Sequence, residues 1–128
     1  MKVNTKIRYG LRLLIVVANK PEGILQKDFA KEQGISVKYL DSIIPMLKLK
    51  GLLINVNGKG SGYKLAKSAN EITLYDIYTA FEPISVVNCV SNPETCQKSK
   101  NCKAFTYWCE LKIEISEILK RKTLVEII

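Results

Sequence analysis

The chain has 128 residues, is 47% hydrophobic and 25% charged, and carries a formal net charge of +8. That is the length of one domain and the balance of a folded chain rather than a disordered one. It contains no histidine, which excludes Ser/His and Cys/His catalysis and every zinc site that needs an imidazole.

The charge is lopsided. Residues 1–68 hold thirteen Lys/Arg against four Asp/Glu, whereas residues 69–128 hold seven against eight. A polyanion is therefore expected to dock on the N-terminal half, and a nucleic acid is the partner that this asymmetry favours. The opening MKVNTKIRYGLRLLIVVANK has an apolar run, 13–18, too short for a secretory leader or a bilayer span. The expectation is a cytoplasmic protein without a membrane segment, in which stable disulfides are rare.

Residues 5–19 predict a first helix, because Ile7, Leu11, Leu14, Ile15 and Ala18 recur at helical spacing and Thr5 suits an N-cap. After PEG, Leu25, Phe29 and Ala30 mark a short second helix closed by Gly34. Ser36 caps a third, running to about Lys50 with Gly51 after it; Pro45 lies inside it and predicts a bend near residues 41–44. Two short helices about a QGIS joint form a helix-turn-helix.

LLINVN and GYKLA then alternate like strands around NGKGSG, which predicts a β-hairpin. The same glycines read G-x-G-x-G, but a dinucleotide loop must open a helix and here a strand follows. A hairpin behind a helix-turn-helix is a winged helix, which makes the expected nucleic acid double-stranded DNA.

Thr73 and Asp76 form a capping box that opens a helix over TLYDIYTAFE, and Pro83 stops it. NCVSNPETCQKSKNC, residues 88–102, has the composition of an exposed loop. From Lys103 to about Lys122, Ala104, Trp108, Leu111, Ile115, Ile118 and Leu119 step by three and four. Such a seam on a helix of about 30 Å predicts a dimerisation helix and so a homodimer. Thr123 and Glu126 form a second capping box. The fold class expected is mainly α with a small β-hairpin wing, a winged helix-turn-helix followed by a long C-terminal dimerisation helix. Residues 1–82 form the DNA-binding domain, 83–102 a cysteine-containing sensor loop, and 103–128 the dimerisation helix and a short C-terminal segment.

Three stretches carry a resemblance to a known family: TKIRYGLRLL, GISVKYLDSIIPMLKLKGLL and NGKGSGYKLAKSANEITLYDIYTAFE. Together the chain resembles the Rrf-two family of bacterial transcription regulators over nearly its whole length. The resemblance implies a dimeric winged-helix DNA binder with a long crossed dimerisation helix. It also implies a three-cysteine loop that, in some members, ligates an iron–sulfur cluster.

Candidate DNA contacts are Ser36, Val37, Lys38, Tyr39, Asp41 and Ser42 at the start of the third helix, facing the major groove. Tyr39 has a second reading, toward the core, and Leu40 is expected to face the core. Asp41 is an acceptor suited to a cytosine amino group; an acidic residue at this place resembles a base reader of the family, although Asp is one carbon shorter than Glu. Lys59 and Ser61 at the wing tip are expected beside the minor groove, and Lys6 and Arg8 on phosphate. The seam assigns Trp108, Leu111, Ile115, Ile118 and Leu119 to dimerisation, and a two-fold dimer calls for a palindromic operator.

For the cysteines four readings stand: a disulfide, zinc, a redox-responsive thiol site and an iron–sulfur cluster. The gaps of six, five and six residues between Cys89, Cys96, Cys102 and Cys109 are not the short zinc-knuckle spacing. The resemblance favours a cluster, 2Fe–2S or 4Fe–4S, on Cys89, Cys96 and Cys102. Family members complete theirs with a histidine one turn after the third cysteine, where this chain has Phe105, or with an N-terminal aspartate, where it has Arg8. Cys109 is the candidate substitute, about 10 Å along the helix from Cys102 if both are helical. The function expected is a sequence-specific dimeric repressor sensing redox state, iron or nitric oxide. A cluster-free regulator of the same family, answering a small molecule, thiol oxidation or a partner protein, is the alternative. A protein-interaction module is the reading from another class.

Overall fold

A computed structural model describes residues 1–56 and 62–128, the side chain of Ser99 excepted. Helix α1, Thr5–Ala18, opens one residue earlier than the sequence suggests: Asn4, not Thr5, is the N-cap, and its side chain accepts from the Ile7 N–H at 2.9 Å. Its other side-chain atom, Nδ2, donates to Glu82 and holds the N-terminus against the end of a later helix. Helix α2, Gln26–Gln33, ends on Gly34, whose φ of 68° is the left-handed cap that glycine adopts without a Cβ clash.

The third predicted helix is divided. Helix α3, Val37–Leu40, and helix α4, Ile44–Leu49, are separated by a turn over residues 41–43. Pro45 accounts for the break. It has no N–H to donate, and in a continuous helix its ring would press on the carbonyl of Asp41. It takes instead the first turn of α4, where neither defect matters. The predicted bend thus falls at the expected place but as a full interruption.

Strands β1, Leu53–Asn55, and β2, Tyr63–Leu65, pair antiparallel with Leu53 opposite Leu65 and Asn55 opposite Tyr63. Helix α5, Leu74–Thr79, starts on the predicted capping box, with Thr73 and Asp76 each bonded to the other's backbone N–H. It ends before the predicted Glu82. The cysteine stretch is built of short helical turns rather than open loop: α6, Asn88–Ser91, and 3-10 turns at Pro93–Thr95 and Ser99–Asn101. Helix α7, Lys103–Arg121, follows, and the Thr123–Glu126 capping box opens a final 3-10 turn, Leu124–Ile127.

One core joins these elements. Leu13, Leu14 and Val17 of α1 meet Phe29 of α2, Leu40 of α3, Ile44 and Leu47 of α4, Leu53 of β1, Ile77 of α5 and Leu124 from the end of the chain. Each such side chain contributes roughly 1.5–3 kcal/mol on burial. A smaller cluster, Ile7, Tyr78 and Ile84, lies under α7 and receives Ile115 and Leu119 from it. Burial, and then the neighbouring Glu82 carboxylate, raise the pKa of Tyr78, while its hydroxyl donates to the Lys2 carbonyl at 3.1 Å.

Candidate nucleic-acid interface and cysteine segment

The turn between α2 and α3 sets the interface. Gly34 reverses the chain, Ile35 tucks in, and the Ser36 hydroxyl accepts from the Tyr39 N–H at 3.0 Å, fixing where α3 begins. Leu40 is wholly buried and anchors the helix from below. This leaves Ser36, Val37, Lys38 and Asp41 exposed on one short outward face. Lys27 and Lys31 of α2 and Lys48 of α4 lie on the flanking helices, also exposed.

The other predicted contacts sit differently. Tyr39 is half-buried, packed on the core and edge-to-face with Tyr9 of α1 at 5.7 Å between ring centres. Ser42 is half-buried, and its hydroxyl donates to the Tyr39 carbonyl at 2.6 Å. Arg8 is exposed but opens on a cleft with Tyr78, Glu82 and Ser85, away from α3; Lys6 is half-buried. Lys59 and Ser61 lie outside the described residues.

Two features escape a reading of the sequence. Arg12 stacks over Tyr9 at 5.0 Å, and Tyr9 in turn meets Tyr39, so one aromatic pair carries a guanidinium beside the recognition segment. Gln26, the first residue of α2, donates from Nε2 to the Val37 carbonyl at 2.9 Å and to Asp41 Oδ1 at 2.8 Å. The Tyr9–Tyr39 and Gln26 contacts are not signalled by spacing, because each joins residues of different helices, whereas Arg12 and Tyr9 are three residues apart on α1.

The cysteines are all free and half-buried. Cys102 is extended and serves as the N-cap position of α7, ahead of the helix, while Cys109 lies within it. Cys96 opens on a cleft with Pro93, Glu94, Gln97 and Lys100; Cys109 opens on another, about 370 Å³, between Tyr75, Val90 and Lys112. Among the described residues no three Cys, Asp or Glu side chains are gathered closely enough to hold a metal. The thiols are chemically suited to iron and sulfide, but as arranged they do not fit a cluster.

Comparison with known proteins decides the family. Residues 3–128 match the model of the Rrf2 family, described as iron-dependent transcriptional regulators. The chain belongs to the Rrf2 family. The HTH-type transcriptional regulator IscR of Pectobacterium carotovorum is 34% identical over the whole of this chain and 79% of its own length. Protein rrf2 of Nitratidesulfovibrio vulgaris is 33% identical over 99% of this chain and 87% of its own. Among solved structures, CymR, the global cysteine regulator of B. subtilis, superposes with a TM-score of 0.76 at 28% identity, covering 99% of this chain and 95% of its own. T. potens IscR does so at 0.72 and 28%, covering 99% and 85%. This Rrf2 protein is accordingly a winged-helix transcription regulator of the IscR type and not an enzyme. No helix among its described residues is long and apolar enough to cross a membrane.

Proposed function

We propose that the protein is a homodimeric repressor that places α3 in the major groove of a palindromic operator and adjusts its DNA affinity through the thiols of residues 88–102. The observation that carries the DNA reading is the outward face of α3: Ser36, Val37, Lys38 and Asp41 are exposed on a helix whose start is capped and whose Leu40 is locked in the core. The positive excess of residues 1–68 supplies the sequence-independent attraction. Lys59 and Ser61 of the wing serve the neighbouring groove or phosphate. Arg12, held by the Tyr9–Tyr39 pair, is added to the phosphate contacts.

Dimerisation is supported by α7, which has no fully buried residue in the single chain and leaves Tyr107, Ile113 and Ile118 between 56% and 62% exposed. Tyr107 and Ile118, eleven residues apart, fall on the same side of the helix, and exposed apolar side chains so aligned are ordinarily covered by another copy.

Two sensing readings follow from the cysteines. In one, Cys89, Cys96 and Cys102 take an iron–sulfur cluster and the protein reports redox state, iron or nitric oxide; residues 88–102 must then close around it. In the other, the thiols act without a cluster, a reading favoured by their separation in the structure. Purification without oxygen, with iron and sulfide assays, visible absorbance and DNA affinity before and after oxidation, separates them. Iron with absorbance supports the cluster. Oxidation-sensitive binding without iron supports the thiols. Binding that ignores both removes the sensing role. A DNA titration tests the rest: affinity should fall steeply with salt, and Arg12→Ala should lower the slope by about one unit.

A further inference from the structure

We infer that Gln26 is a specificity-determining residue that positions Asp41 and makes with it a composite hydrogen-bond acceptor. This deepens the reading of α3 as the DNA-reading helix and rests on it. Gln26 sits at the first position of α2 and bridges to both ends of α3: its amide nitrogen donates to Val37 O at 2.9 Å and to Asp41 Oδ1 at 2.8 Å. Both partners are pure acceptors, so the amide has only one workable orientation. Each of its two N–H groups is used once.

What remains on the outer side is acceptor only. Gln26 Oε1 and Asp41 Oδ2 have no hydrogen-bond partner among the described residues. They border an open groove of about 440 Å³, lined also by Pro45, Lys48 and Tyr63. An aspartate side chain is short and, unheld, turns freely about two bonds. The clamp fixes one oxygen and so aims the other. Two acceptors presented together select an exocyclic amino group, N4 of cytosine or N6 of adenine. They repel the O6 and N7 edge of guanine and O4 of thymine.

The test uses the full-length protein and a randomised duplex library, followed by single-base competition at each position of the selected operator. Asp41→Ala and Gln26→Met should each relax discrimination at one and the same base position, by roughly tenfold. The double variant should lose no more than either single one, and the salt slope should be unchanged. Gln26→Met keeps the side-chain length and removes both donors. If it fails to fold, Gln26→Leu also removes the donors without adding a charge, and the same relaxation is expected. A uniform loss of affinity at all positions in the Gln26 variants, or no change, while Asp41→Ala relaxes one position, overturns the role of Gln26 and leaves Asp41 as a reader. No change at any position in Asp41→Ala overturns the composite acceptor together with Asp41 as a reader.

Discussion

Ile24 and Tyr63 exchange two backbone hydrogen bonds, 3.1 Å from the Ile24 N–H and 2.9 Å from the Tyr63 N–H. The segment that leads into α2 is thereby laid along β2 as a third, one-residue rung of the hairpin. The helix-turn-helix and the hairpin are fastened by this rung. Gly62 makes it workable: its φ is 89°, and a Cβ there would fall on the Ile24 carbonyl. Gly62→Ala should therefore cost at least about 2 kcal/mol and lower Tm by roughly 5 °C or more. Gly34 has a similar φ, 68°, but open space around it. Gly34→Ala should cost only the left-handed penalty, about 1 kcal/mol. Thermal unfolding of both variants at one protein concentration checks the ordering, since equal losses would mean that the Ile24 contact yields.

The end of the chain belongs to the first core. Leu74 donates to the Lys122 carbonyl at 2.9 Å and Leu124 to the Ile72 carbonyl at 2.8 Å, which ties the exit of α7 to the entry of α5. Leu124 is wholly buried among side chains from α1 to α5. Leu124→Ala should destabilise by about 2–5 kcal/mol, as cavity formation in a close-packed interior does. Urea unfolding should show a lower midpoint with an unchanged m-value.

Local signals made much of this legible in advance. Both capping boxes, the Gly34 cap and the hairpin strands follow from residues a few positions apart, and the structure places them as read. Signals of longer reach were not legible. The helical period of Ile115, Ile118 and Leu119 cannot tell a side chain that packs on its own domain from one left for a partner. Nor does any spacing place Gln26 against Asp41 or Tyr9 against Tyr39, because those contacts depend on how α1, α2 and α3 cross. For the cysteines, the family resemblance, more than their spacing, favoured a shared cluster. The intervening turns of α6 and the two 3-10 segments instead separate them.

The second capping box predicts a pH effect. The Thr123 N–H donates to Glu126 at 2.7 Å and its hydroxyl at 3.1 Å. The backbone bond first, then the hydroxyl, hold the Glu126 pKa below its ordinary 4.5, with a smaller contribution from Lys122. A carboxyl depressed in the folded state stabilises fully above its unfolded pKa, and that contribution fades as pH falls through the folded one. The last turn should therefore loosen below about pH 4.5. In an NMR titration Glu126 should titrate below the ordinary glutamate range and move back toward it in Thr123→Ala. An identical titration in the two proteins would mean that the box does not form in solution.

The two sides of α7 give different answers to the same substitution. Ile115 packs on the cluster of Ile7, Tyr78 and Ile84, whereas Ile118, three residues on, is 56% exposed. Ile115 is half-buried there, so an aspartate at position 115 sets an unpaired charge against that apolar cluster, and Ile115→Asp should destabilise the protein's own fold. An aspartate at position 118 meets water in the single chain. It becomes costly only where a second α7 covers it. Ile118→Asp should keep its circular dichroism, shift sedimentation from dimer to monomer, and weaken binding to a two-half-site operator far more than to one half-site. A folded Ile118→Asp protein that still sediments as a dimer would place the interface on another surface, and Tyr107 and Ile113 would then need a different explanation for their exposure.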